Sequence, residues 1–252
     1  MEVHHHPHVE KKNFKEYFLE FIMIFLAVTL GFFAEGLRER IADNEKAKRN
    51  IESVIKSVSI DTSNIKQIIQ LNQNQIKGID SFILLKNNDV RMDSVKWKFY
   101  YYTINFLNEE YYWQPVNAGI AQLKSSGGLT LIKNQSAADS IQGYDIFNNW
   151  ISLQEGDSHY ILRQIWDIEF KLLDFSILKN PSIGWPANSA YNSDNAAKRL
   201  PEITNDPALF KQFFGYAAAV SLSNSVYISG LQNQLQRGRN LIAFLKKEYN
   251  IQ

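Results

Sequence analysis

The chain has 252 residues, 45% of them hydrophobic and 13% aromatic, which supplies enough apolar area for a folded core and excludes extensive disorder. Lys and Arg number 27 against 26 Asp and Glu, so a formal charge of +1 leaves no electrostatic footprint for nucleic acid. The absence of cysteine removes disulfides, thiolate metal sites and cysteine nucleophiles together.

Residues 1–16 form a tail rich in histidine and lysine. His4, His5, His6 and His8 are candidate metal ligands, because clustered imidazoles bind divalent transition metals. His159 is the only other histidine, so a closed site would draw on carboxylates or a second subunit. The competing reading is a solvated tail whose charge changes with pH. No cofactor is expected.

A transmembrane helix is predicted over 17–34, YFLEFIMIFLAVTLGFFA, eighteen residues with one charge. At 1.5 Å per residue that is about 27 Å of helix, just enough for a hydrocarbon core. Phe32-Phe33-Ala34-Glu35 puts bulky and charged groups where signal cleavage needs small ones, so the span reads as an uncleaved anchor in the lipid bilayer. The uncharged run from Phe21 to Ala34 is only fourteen residues, which keeps a buried core helix as the alternative. Lys11, Lys12 and Lys15 precede the span, while Arg38, Arg40, Lys46, Lys48 and Arg49 follow it, a count that leans toward a cytoplasmic body. Long domains cross membranes largely regardless of charge, and a cysteine-free body suits an oxidising compartment. The expectation is therefore a single-pass inner-membrane protein with its body in the periplasm. Glu20 is the intramembrane acid, read as reaching Lys15 or lipid amines at headgroup level, with an ion path as its alternative. Ala27 and Gly31 form a small-xxx-small pair that lets helix backbones approach.

Residues 35–50 read as a juxtamembrane helix with Gly36 as its flexible point. Alternating steps of three and four then give Ile51, Ile55, Val58, Thr62, Ile65, Ile69, Asn72, Ile76, Ile79 and Ile83, eight apolar residues out of ten. Thr62 and Asn72 are interruptions of the kind that fix register. Val54, Ile60, Ile68, Leu71 and Phe82 widen the stripe, which favours packing inside one chain's bundle over a parallel oligomeric coiled coil. Ala27, Gly31, Ile51, Ile55, Val58, Ile65 and Ile69 are the candidate helix-association residues.

Further along, Asp93 to Leu107 is aromatic-dense and helical, and a short helix from Val116 to Ser125 ends at Gly127-Gly128, which fit a glycine cap. Ser136 is a plausible N-cap for a helix carrying Ile141, Tyr144, Phe147, Ile151, Leu162, Ile165, Trp166, Leu172 and Phe175 at helical intervals. Four of the six prolines fall in the loop 180–207. Asp206 and Pro207 then suit the N-cap and first position of a last helix of about forty residues. The predicted fold is all-α: one N-terminal transmembrane helix continuing into an antiparallel helical bundle over 51–252.

Chemistry-bearing motifs are sparse. Asp157-Ser158-His159 sets three acyl-transfer groups side by side, but neighbours on a helix do not face each other. Gly127-Gly128 lacks the lysine and Ser/Thr of a phosphate loop. Trp97, Tyr100, Tyr101, Tyr111, Tyr112 and Trp113 read as core more than as a ligand pocket.

MEVHHHPHVEKK at the start, FKEYFLEFIMIFLAVTLGFFAE after it, and QLKSSGGLTLI from Gln122 to Ile132 resemble a Bacteroidota family of membrane-anchored proteins whose domain has no assigned function. The first two blocks cover about forty residues, and the Leu123 to Gly127 block carries the match into the body. The resemblance implies native histidines and a single N-terminal span, and brings no catalytic residue, substrate or partner. With few groups for covalent or metal chemistry, the expected function is a non-enzymatic inner-membrane protein that assembles with itself or with other membrane proteins. The alternatives are a periplasmic helical-bundle sensor or ligand-binding module, and a subunit of an ion-conducting assembly using Glu20.

Overall fold

A computed structural model describes residues 13–176 and 200–251, and every regular element in it is helical. The histidines His4, His5, His6 and His8 and most of the proline-rich loop lie outside the described residues. Helix α1 runs Phe14–Ile83, 70 residues or about 105 Å without a break, as a tract lacking proline permits. Glu16 Oε2 accepts the Asn13 N–H at 3.2 Å and closes its start. Three zones divide it. Residues 14–34 are apolar and mostly exposed, the next dozen form a charged, mostly exposed neck touched among the described residues by Lys133 Nζ, which donates to Asn44 Oδ1 at 2.8 Å, and burial begins at Ala47. The neck is held by its own i,i+3 and i,i+4 pairs, Arg38 to Glu35 and Arg49 to Glu45. Gly36, the expected flexible point, is a helical residue with open space at its Cβ position.

After a 3-10 turn at Leu84–Asn87, α2 (Asp93–Tyr102) passes into a π-helical turn at Thr103–Leu107, so the single helix expected to Leu107 changes winding in its last turn. An extended stretch leads to α3 (Ala118–Ser125), which ends at Gly127 with φ of 65°, the left-handed geometry the glycine was expected to supply. Helix α4 (Gln135–Leu172) is capped by Asn134, whose side chain accepts from Ala137 N–H at 3.2 Å, and Ser136 lies inside it. It passes Gly156 unbroken. Helix α5 (Pro207–Glu248) starts as the sequence indicates, Asp206 Oδ1 accepting from Ala208 and Leu209 N–H at 2.8 and 3.1 Å.

The legs alternate in direction: α1 leaves the apolar zone, α2 to α3 return as a broken leg, α4 goes out again, and α5 comes back. Three apolar layers stack along them. The layer nearest the neck joins Ile51, Val58, Leu123, Ile141 and Leu245; the middle joins Ile65, Trp113, Ile151 and Leu231; the far layer centres on Phe82, Phe99, Phe213 and Ile165. Lys96 is buried in the far end and bonds Glu202 at 2.7 Å, while Thr204 N–H bonds Leu172 O at 3.0 Å, which together seat the chain as it re-enters α5.

Gly119 shows how closely the return leg approaches. A Cβ there would come within 2.5 Å of the Ser53 carbonyl oxygen, and the Gly119 N–H donates to Ser57 Oγ at 3.1 Å. Gly119→Ala is expected to cost about 1–3 kcal/mol in denaturant unfolding of the detergent-solubilised chain. Gly143→Ala, inside α4 with open space at its Cβ, should instead add about 0.5–1 kcal/mol.

Candidate functional site

The structure separates the helix-association residues into two groups. Ile51, Ile55, Val58 and Ile65 are buried and Ile69 is half-buried, all of them against the chain's own α3, α4 and α5. Their seam is therefore filled from within. Ala27 and Gly31 remain exposed on the apolar zone. At 3.6 residues per turn, Gly31 stands about 180° around α1 from Val58, and Glu20 lies within about 20° of Gly31. The 3.5-residue frame had placed Ala27 on the same seam as Ile51. No described helix packs on the neck to underwind it, so an ordinary α-helix drifts about 20° per heptad away from that frame. The small-residue face thus points away from the body.

Inside the bundle runs a series of polar groups. Asp61 is 1% exposed, and its carboxylate accepts from Val116 N–H at 2.7 Å and Tyr144 O–H at 3.1 Å. Burial pushes its pKa up; those two donors and the Trp113 indole, short of a full hydrogen bond, oppose the shift. Burial, and then the Asp61 charge, push the Tyr144 phenol upward. About three to four turns further along α1, Asn72 Nδ2 donates to Tyr111 O at 2.9 Å and Gln75 Oε1 accepts from Asn224 Nδ2 at 2.9 Å, tying α1 to the return leg and to α5. Asn72 fixes register as its position suggested, whereas Thr62 only bonds Ser59 O in its own helix.

At the far layer, Trp166 Nε1 donates to Asn108 Oδ1 at 3.1 Å and Asn108 Nδ2 donates to Glu169 Oε1 at 2.7 Å. Glu169 is 1% exposed, its Oε2 has no hydrogen-bond partner among the described residues, and burial raises its pKa to about 7. Asp61 and Glu169 were missed as sites. A signal existed for both: each is an acid set inside an apolar i,i+3/i+4 frame, Val58 to Ile65 and Ile165 to Leu172.

Within the Asp157-Ser158-His159 run, Ser158 and His159 bond to different partners rather than to each other. Ser158 Oγ pairs with Ser223 Oγ at 2.9 Å, while His159 Nδ1 meets Glu110 Oε1 at 2.8 Å and its ring lies 5.0 Å from that of Tyr112. Beside them, Asn72, Gln75, Ser158 and Asn224 line a cleft of about 20 Å³, room for about one water. Among the described residues no three His, Asp or Glu side chains stand close enough to share a metal ion. Tyr100 and Trp113 are core residues, and Trp97 stacks on Tyr101 with ring centroids 4.9 Å apart.

The outer side of α4 and α5 carries apolar groups that no described element covers. Ile146, Trp150, Leu153 and Tyr160 recur at helical spacing on α4, with Ile146 65% and Leu153 71% exposed. Leu222, 68% exposed, and Val226 are the exposed large apolar residues of α5, which meets α4 where Trp150 covers Gly230 and Ser158 meets Ser223. No family model, curated protein or solved structure matches the chain.

Proposed function

We propose that the chain is a non-enzymatic, single-pass inner-membrane protein, its body in the periplasm, that works by associating with further copies of itself in the plane of the membrane. The exposed apolar face of α4 and α5 carries this reading: contiguous apolar patches rimmed by polar residues mark association sites. Anchoring supports a second copy as the occupant. Two copies held by the same span diffuse in one plane and present this face at the same height, which raises their effective concentration. Ala27 and Gly31 offer a second contact on the opposite side of α1.

The absence of native cysteine makes the test clean. Full-length chain carrying Leu153→Cys or Leu222→Cys should form disulfide-linked dimers in native membranes, and Leu153→Glu with Leu222→Glu should abolish association in native mass spectrometry. A monomer at every expression level, or a cross-link only into a different polypeptide, would overturn self-assembly.

A further inference from the structure

At the end of the bundle farthest from the apolar zone, the turn after α1 and the first turns of α5 enclose a groove of about 380 Å³. That volume is at the small end of the range for small-molecule sites, ~300–1,000 Å³. Its floor is apolar and rigid: Leu85, Val90 and Phe214 are buried, and Phe214 stacks on Phe82 with centroids 4.9 Å apart. Phe210 stands half-buried along one wall, edge-on to Phe99 at 5.7 Å. The rim is cationic. Lys86 and Lys211 are exposed and form no ion pair among the described residues. Arg91 is clamped by Asp89, its Nε and Nη2 donating to the two carboxylate oxygens at 2.8 and 2.7 Å, so Asp89 is already neutralised.

We infer that this groove binds a small amphipathic monoanion, an aromatic or medium-chain carboxylate or sulfonate, with its apolar body on Phe210 and Phe214 and its charge between Lys86 and Lys211. A neutral apolar molecule would leave both lysines idle, and a compact inorganic anion would leave the apolar floor in water. The N-terminus of α5 is not the anion's seat, because Asp206 already takes its first N–H groups. Position decides the source. From Ala34 to Ile83 α1 extends about 74 Å, so with the apolar zone in a bilayer and α1 upright the groove stands well beyond the lipid headgroups, where soluble anions are the available ligands. This site is separate from the α4–α5 association face and does not depend on it.

The probe is 2-naphthoate, with 2-naphthamide as its uncharged isostere, titrated calorimetrically into full-length chain in lipid nanodiscs with empty nanodiscs as reference. Saturable binding at one per chain is expected, weakened about tenfold or more for the amide and for Lys86→Ala with Lys211→Ala. Both lysines are exposed, and an unchanged far-ultraviolet spectrum checks that the double variant is folded. Phe210→Ser should weaken the naphthoate while leaving acetate equally weak. Overturning results are no uptake above empty nanodiscs, equal binding of amide and acid, or full affinity in the lysine double variant.

Discussion

Glu169→Gln is expected to raise the melting temperature at pH 8 while leaving it almost unchanged at pH 4. The carboxyl is buried with one oxygen unpartnered among the described residues, and its pKa rises from 4.5 to about 7 on folding. Below about pH 4.5 it is protonated in folded and unfolded chains alike and costs nothing. As pH rises toward 7 the unfolded chain releases the proton and the folded chain keeps it, so stability falls; above 7 the full cost is present. At 1.36 kcal/mol per pKa unit that cost is about 3 kcal/mol. An amide carries no charge at any of these pH values and keeps an oxygen for Asn108 Nδ2. Across pH 5 to 8 the parent should lose about 6–10 °C relative to the variant, read by circular dichroism of the full chain in a non-ionic detergent. Parallel curves for the two proteins would sink this account.

Phe82→Ala should be the most damaging single truncation. The ring is fully buried, with Phe99, Phe214 and Phe213 at 4.8, 4.9 and 5.4 Å, so α1, α2 and α5 all meet on it. Removing it costs the transfer free energy plus a cavity that three helices cannot all close, about 3–5 kcal/mol. Denaturant midpoints of the full chain check this, with Leu84→Ala as the control. Leu84 is two residues away but exposed, and should change stability by no more than about 0.5 kcal/mol. Equal effects at the two positions would mean that the four-ring contact is not formed.

Elements governed by local chemistry were legible. The apolar run over 17–34, the seam from Ile51, the Asp206-Pro207 start and the left-handed Gly127 are each set within a few residues, and each appears in the structure. Competition between caps was not: Asn134 and Ser136 are both good N-caps, and Asn134, which takes the role, also donates its Nδ2 to Glu248 Oε1 at 2.7 Å, a partner 114 residues away. Long-range polar pairs leave no periodic trace either. Asp61 and Tyr144 are 83 residues apart, and Asn108 and Glu169 are 61 apart, so the sequence marks each acid as misplaced without naming its partner. The neck defeated the heptad count for a related reason. A 3.5-residue frame persists only while a neighbouring helix enforces it, and residues before Ala47 have none among the described residues.

The pairing of α1 with α5 also sets an order of events during synthesis. Ile51 is among the first body residues to leave the ribosome, but Leu241 and Leu245, which close its layer, follow about 190 residues later. At roughly 5–20 residues per second, that seam waits about 10–40 s before its last wall arrives. Until then the isoleucine ridge is covered only by α3 and α4, and any message truncated before α5 leaves its last side open permanently. Chaperone capture and rapid proteolysis of such fragments are the cellular signature this architecture implies.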